Sequence, residues 1–399
     1  MSTQEPIPFH TPSIKASEIT AVKKVLKSGW LTTGPVTARF EKQFRDYVGA
    51  SHALAVNSAT AGLHLSLAAL GIGPGDEVIT TPLTFCATVN SILYVGATPV
   101  LADIDETFNI SPSHVEKLIT PRTKAILPVH FAGLPCDMPR LWRLAREHEL
   151  SVVEDAAHAV GASSNGSRIG GGRSDAVVFS FYATKNMTTG EGGMITTPSE
   201  ELYNRLRVLS LHGMSKQAWN RYSAAGSWAY DVVACGFKYN MTDIAAAIGS
   251  EQLARLDSMT RRRRKIVSAY ASAFAGMPEL ETPPAGGPGH CWHLFVLRLN
   301  LEMLSIDRAG FFDEMKSRGI SCSVHFIPIP LHSHYSSAIE MRDPCERALS
   351  EYPRMISLPL YPSMSDEQVN RVIGAVRDIV TCHSRGRRTY MVAGAHAND

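Results

Sequence analysis

No apolar stretch in this chain reaches the ~18 consecutive residues that a membrane-spanning helix requires, so the sequence predicts no membrane span. A disulfide scaffold is equally unsupported. The 7 cysteines are odd in number and none forms a Cys-x-x-Cys pair, which also removes the usual zinc-ribbon signature. Net charge is almost absent, with 39 basic residues against 37 acidic ones, so no global field draws nucleic acid or an anionic bilayer. The opening MSTQEPIPFH lacks the basic and apolar segments of a secretory leader. Internal repeats and coiled-coil heptads are missing too. What is present is 399 residues, 44% hydrophobic and 19% charged, enough for ~2–3 domains and too apolar for a disordered chain. The expectation is a cytoplasmic globular protein of enzyme size.

From Phe44 to about residue 200, short β-rich runs alternate with helical patterns. Strands are predicted at 77–81, 100–104, 125–129, 151–153, 177–181 and 194–197. Between them Leu63, Leu67 and Leu70 recur at helical spacing, as do Met138, Leu141, Trp142 and Ala145. Val- and Ile-rich strands separated by helices predict a mainly parallel sheet covered on both faces. Such sheets place their sites at the carboxyl ends of the strands. Ahead of this region, 17–44 reads as helix, loop, helix, broken at Ser28-Gly29 and Gly34-Pro35. After it, a helical stretch over 241–275 leads into a run rich in Pro and Gly from Pro283 to Gly289. WHLFVLRL then reads as a strand, 308–318 as a helix, 321–326 as a short strand and 366–380 as a last helix. The division expected is a large domain over 1–250 with an N-terminal helical segment, a smaller α+β domain over 251–382, and a loose tail over 383–399.

Three segments carry the chemistry. Lys185 stands just past a predicted strand and before the Gly-rich turn TTGEGG; alone, it reads as well as a solvated loop lysine. Asp155 ends the β-branched run SVVED, where a carboxylate also suits a helix cap. Asn57, Ser58 and Thr60 open a helical pattern, again as a cap or as an anion site of N–H groups and hydroxyls. Taken together they suit an aldehyde cofactor with a phosphate handle: a lysine for the Schiff base, a carboxylate for a pyridinium nitrogen and a helix N-terminus for the phosphate. Pyridoxal phosphate needs all three.

The motifs GPGDEVI, TPLTFCATVNSI, EDAAHAVGA, SFYATKN with TTGEGG, GFKYNMTDIAAAIG, WHLFVLRL, VHFIPI and LPLYPSMSDEQV follow one another along the chain. In that order they resemble the DegT/DnrJ/StrS family of nucleotide-sugar aminotransferases, over roughly residues 14–380. The resemblance implies an α/β protein of the aspartate-aminotransferase architecture (fold type I), with pyridoxal phosphate as cofactor. It implies that Lys185 is the Schiff-base lysine and the acid/base of the proton shift, and that Asp155 pairs with the pyridine nitrogen. Phe85 matches the ring that stacks on the cofactor, with a buried core Phe as the plainer alternative. His158 stands where relatives often have Gln beside the phenolic oxygen. Ser58, Ala59, Thr60 and Ser180 match the phosphate cradle. Where many relatives read G-x-N-Y-R-M, this chain has Gly236-Phe237-Lys238-Tyr239-Asn240-Met241. That loop reaches the partner subunit's phosphate in the family, so Lys238 or Asn240 is expected to do so here, in a homodimer with shared sites.

The same resemblance implies amino transfer from an amino acid, glutamate above all, to a nucleotide-linked keto sugar, at C4 of a UDP- or dTDP-linked 4-keto-6-deoxyhexose. Trp30, Thr32 and His325 are the expected sugar contacts, with ordinary loop packing as the alternative. A sugar dehydratase on this scaffold replaces the lysine by histidine, and Lys185 is present; a regulatory relative needs neither Lys185 nor Asp155. The remaining features read blandly. His325, His332 and His334 have no carboxylate or cysteine pattern to complete a metal site. The run Arg261–Lys265 reads as a solvated helix face, Gly170–Gly172 lacks a dinucleotide context, and His293 reads as a packed core histidine.

Overall fold

The computed structural model describes residues 5–215, 230–339 and 341–385. The first strands are β1 (His52–Val56), β2 (Glu77–Thr80), β3 (Thr98–Leu101), β4 (Thr123–Leu127) and β5 (Ser151–Asp155). A small hairpin, β6 (Ser163–Ser164) with β7 (Ser167–Arg168), precedes β8 (Ala176–Ser180) and β9 (Gly193–Thr197). All but the hairpin join one seven-stranded sheet in the order β1-β9-β8-β5-β4-β2-β3. Only β9 runs against its neighbours; from β8 to β3 every pairing is parallel. Strand β1 escapes the sequence reading because HALAV is alanine-rich and weak in intrinsic β preference; its pairing with β9 and its burial make it a strand.

The helices of this part are α1 (Ala16–Ser28), α2 (Pro35–Val48), α3 (Ala59–Ala69), α4 (Cys86–Tyr94), α5 (Pro112–Leu118), α6 (Met138–Glu147), α7 (Glu200–Ser210) and the long α8 (Asp243–Phe274). The leucines predicted to share one face of α3 understate its burial, since Ala61 through Leu67 are all buried, as expected of a helix that is apolar all round. It lies hard against the sheet. A Cβ at Gly62 would fall 2.6 Å from Val178, and one at Gly193 would fall 2.8 Å from the Ala59 nitrogen. Glycine at both positions lets the start of α3 sit beside the end of β8.

A second, antiparallel sheet consists of β10 (Leu280–Glu281), β11 (Phe295–Leu299) and β12 (Met355–Leu358). It is accompanied by α9 (Arg308–Ser317), α10 (Ser333–Ala338), α11 (Glu346–Glu351) and α12 (Asp366–His383). The strand expected at 321–326 is instead a single bridge between Ser323 and Ser357. His325, two residues on, spends its Nδ1 on the Ser357 hydroxyl at 2.9 Å, and the prolines at 328 and 330 limit further pairing. Helix α8 serves both parts. Leu253, Leu256 and Met259 pack into the core under β8, whereas Ile266, Tyr270 and Phe274 join the core of the smaller sheet. The change of core therefore falls later than the boundary expected at 250. Residue Ser384 bridges Leu304, so the expected tail is anchored at its start; residues 386–399 lie outside the described residues.

Arg263 corrects the reading of the basic run. Arg261, Arg264 and Lys265 are exposed, but Arg263 is buried. Its Nη1 donates to the carbonyls of Leu360 at 2.8 Å, His293 at 3.3 Å and Trp292 at 3.4 Å. It fastens α8 to the segments just before β11 and just after β12.

Candidate active site

Parallel pairing of β5 with β8 brings the ends of both strands to one edge, with Asp155 opposite Val178. A cavity of about 530 Å³ opens there against the smaller part of the molecule. Asp155 forms its floor, 5% exposed. Its Oδ2 accepts from the Thr88 hydroxyl at 2.8 Å and its Oδ1 from the Ala157 N–H at 3.1 Å. Thr84 backs Thr88 through a 2.7 Å hydroxyl contact. Burial raises the Asp155 carboxyl above its usual range, against the pull of these donors and of Lys185.

Lys185 enters the same cavity from the turn after β8. The turn is tightly bonded: Lys185 N–H donates to the Tyr182 carbonyl at 2.9 Å, and Thr188 Oγ1 and Thr189 N–H both reach the Phe181 carbonyl. Desolvation lowers the Lys185 ammonium to about 8, with the Asp155 charge acting the other way. The third wall is the start of α3. Ser58 is its N-cap, its Oγ accepting from Ala61 N–H at 3.1 Å. The cap reading and the anion reading coexist, because the other first-turn N–H groups of a helix have no partner within it. Ala59, Thr60 and Ser180 line the cavity beside it.

Comparison with known proteins places this arrangement. A profile of the DegT/DnrJ/EryC1/StrS aminotransferase family matches residues 12–377. The chain belongs to that family. The spore coat polysaccharide biosynthesis protein SpsC of Bacillus subtilis is 52% identical over 378 residues, covering 94% of this chain and 97% of its own. Among solved structures, Spr1654 of Streptococcus pneumoniae, designated a sugar aminotransferase and captured in its PMP form, is 36% identical with a TM-score of 0.88, covering 94% of this chain and 98% of its own. PseC of Helicobacter pylori, an aminotransferase of pseudoaminic acid biosynthesis, is 30% identical with a TM-score of 0.88 over 94% and 99% of the two chains. The chain is thus a fold type I, pyridoxal-phosphate-dependent sugar aminotransferase, and both the family and the fold agree with the sequence resemblance.

The residues of this family member fit the cofactor. His158 Nδ1 is buried without a hydrogen-bond partner among the described residues, and its ring lies in the cavity wall. Burial, with the charges of Lys185 and His325, holds its pKa well below the usual value, so it stands there neutral and able to bond a ring oxygen. Phe85, at the N-cap of α4, is 59% exposed and lines the cavity, which excludes the alternative of a core phenylalanine. His325 reaches the cavity from the smaller part. The other expected contacts lie elsewhere. Trp30 lines a separate groove beside α1, α2 and α8, and Thr32 is exposed. Lys238 is exposed, Asn240 is half-buried, and neither lines the cavity of its own chain.

Several cavity residues went unrecognised in the sequence. Phe9 and His10 arrive from the segment before α1, where no periodicity marks them. That segment is held by pairing of Ile7 with Gly319 and Ser321, and Phe9 stacks on His325 at 5.4 Å. His293 is buried as expected of a core residue, yet it also lines the cavity, with its Nδ1 3.0 Å from Asn186 Oδ1. Among the described residues no three ligating side chains group as a metal site, and no helix is long and apolar enough to cross a membrane.

Proposed function

We propose that the protein transfers the amino group of glutamate to the C4 ketone of a sugar carried on UDP or dTDP. The observation that carries the amino transfer is the convergence of Lys185, Asp155 and the start of α3 in one cavity; the donor, the nucleotide and the C4 position are drawn from the resemblance of the sequence motifs. When bound, pyridoxal phosphate supplies an electrophilic carbonyl carbon conjugated to an electron-accepting ring. Ser58, Ala59, Thr60 and Ser180 hold its phosphate, Phe85 covers its ring, and His158 bonds its phenolic oxygen. Asp155, anchored by Thr88 and Ala157, holds a proton on the ring nitrogen. Lys185 Nζ takes the proton from the α-carbon of the amino donor; a lysine whose pKa is already near 8 reaches the neutral, basic form at modest cost. The same amine returns the proton when the keto sugar is the acceptor.

Lys238 and Asn240, which do not line their own cavity, serve the phosphate site of a second copy, and Trp30 and Thr32 face that copy's sugar. A homodimer is then the active unit, with the cofactor on the part built around the seven-stranded sheet and the smaller part covering it, α8 contributing to the core of both. Exposed free thiols at Cys235 and Cys382 suit a reducing cytoplasm. Incubation with glutamate and paired 3-keto and 4-keto nucleotide sugars, followed by NMR location of the new C–N bond, tests the substrate. Nitrogen at C4 is expected. An amino group only at C3 overturns the position, and no amino sugar from either overturns the substrate class.

A further inference from the structure

The two segments that lie outside the cavity lining meet at the Thr33 side chain. The Thr33 hydroxyl donates to the Met241 carbonyl and accepts from Asn240 Nδ2 at 2.6 Å. Because its single proton goes to Met241, Thr33 receives only the NH₂ end of the Asn240 amide. The amide carbonyl is thereby turned toward Lys238, whose Nζ donates to Asn240 Oδ1. On the other side of Thr33, its backbone carbonyl accepts from Trp30 Nε1 at 3.1 Å. Gly34 makes room for that indole, since a Cβ there would fall 2.1 Å from Trp30 Nε1. Beneath the turn the Asp243 carboxylate accepts from the N–H groups of Gly34 at 2.8 Å, Val36 at 3.1 Å and Thr37 at 2.9 Å. The backbone of the turn is therefore fixed whether or not residue 33 carries a hydroxyl.

We propose that Thr33 is a positioning residue for the neighbouring subunit's cofactor phosphate: its hydroxyl sets the rotation of the Asn240 amide and so aims the Lys238 ammonium. This rests on the reading that Lys238 and Asn240 serve a second copy. There is a competing route inside one chain. Asn57, next to the Ser58 cap, donates its N–H to the Tyr239 carbonyl at 2.7 Å and its Nδ2 to the Lys238 carbonyl at 3.3 Å. Through it, Thr33 would act on its own cavity. Hybrid dimers separate the two routes.

Thr33→Val removes the hydroxyl at nearly constant volume, and Thr33→Ser retains it. The apo-protein of both should melt as the unaltered protein does, since Asp243 keeps the turn. Equilibrium binding of pyridoxal phosphate should weaken about tenfold in Thr33→Val, the scale of one lost hydrogen bond to a group that aims a charge, and return to within about twofold in Thr33→Ser. In a tagged hybrid of Thr33→Val with Lys185→Ala, visible absorption reports only the cavity that keeps Lys185. That cavity belongs to the Thr33→Val chain, and its phosphate is served by the other chain's intact turn. Its affinity should recover to that of the unaltered dimer. A hybrid as weak as the Thr33→Val homodimer, or a Thr33→Val homodimer of unchanged affinity, overturns the proposal. If Lys238→Ala and Asn240→Ala leave cofactor affinity unchanged, or the active protein sediments as a monomer, the reading beneath falls and takes the proposal with it.

Discussion

Glu154 and Asp155 are consecutive on β5, are 2% and 5% exposed, and have opposite fates. Strand alternation sends them to opposite faces of the sheet. Glu154 Oε2 accepts from His130 Nε2 at 2.7 Å, while His130 Nδ1 accepts from the Cys136 N–H at 3.1 Å. Glu154 Oε1 accepts from Ser174, which accepts in turn from Trp142 Nε1 at 2.7 Å. Every member of that chain is satisfied by protein. Asp155 has Thr88 and Ala157 on one side and an open cavity on the other, and it carries a raised pKa. Burial of an acid therefore does not mark chemistry. A buried acid left facing space does, because something must arrive there to justify its desolvation.

The largest effects should fall on the cavity face. Lys185→Ala should lower turnover by about 10⁴-fold, the upper range for removal of an acid–base group, while thermal melting holds or rises because a desolvated ammonium has been removed. Substantial residual transamination in this variant ends the assignment. Asp155→Ala should slow the proton shift by roughly 10²-fold and weaken retention of pyridoxal phosphate, measured by dialysis and single-turnover absorbance. Unchanged kinetics would show that another group protonates the ring.

Three parts of this face are legible from the residues, while Phe85, His158, Ala59 and Ser180 come from the family resemblance. Asp155 ends a run of β-branched residues, Ser58 opens an apolar helix, and Lys185 precedes a glycine-rich turn; each is a local signal tied to a strand end or a helix start. Phe9 and His10 are not legible, because they reach the cavity through pairing of distant segments that leaves no period in the sequence. The role of Glu154 is hidden for the same reason. Its partners His130, Ser174 and Trp142 lie up to 24 residues away along the chain, and nothing in SVVED distinguishes the acid that is satisfied from the one that is not. Nothing in the run marks Arg263, because one charge in five can turn inward wherever carbonyls receive it.

The sheet's other face should respond in stability rather than rate. Glu154→Leu keeps the volume but strands the His130 N–H and the Ser174 hydroxyl, at a cost of roughly 2–4 kcal/mol. Urea unfolding of the apo-protein should show that loss, with kcat per folded molecule within about twofold of the unaltered enzyme. A variant of normal stability and 10²-fold lower kcat would erase the distinction between the two acids.

The smallest effect is a titration, and it reads the contrast most directly. In the apo-protein, Lys185 should titrate near 8 rather than near the ~10.4 of a free lysine, followed by NMR after reductive ¹³C-methylation with Lys185→Ala as the blank. Asp155 holds that value up, so Asp155→Asn should move it lower, whereas Glu154→Gln, across the sheet, should leave it in place. The sign carries over to stability. A lysine with a depressed folded pKa binds fewer protons than its unfolded counterpart between about 8 and ~10.4. Its contribution to folding therefore rises with pH through that window and is absent in Lys185→Ala, the reverse of a lysine held by a salt bridge. A midpoint near that of free lysine would mean that the Lys185 amine is solvated in the apo-protein, and that its basicity is set only after the cofactor arrives.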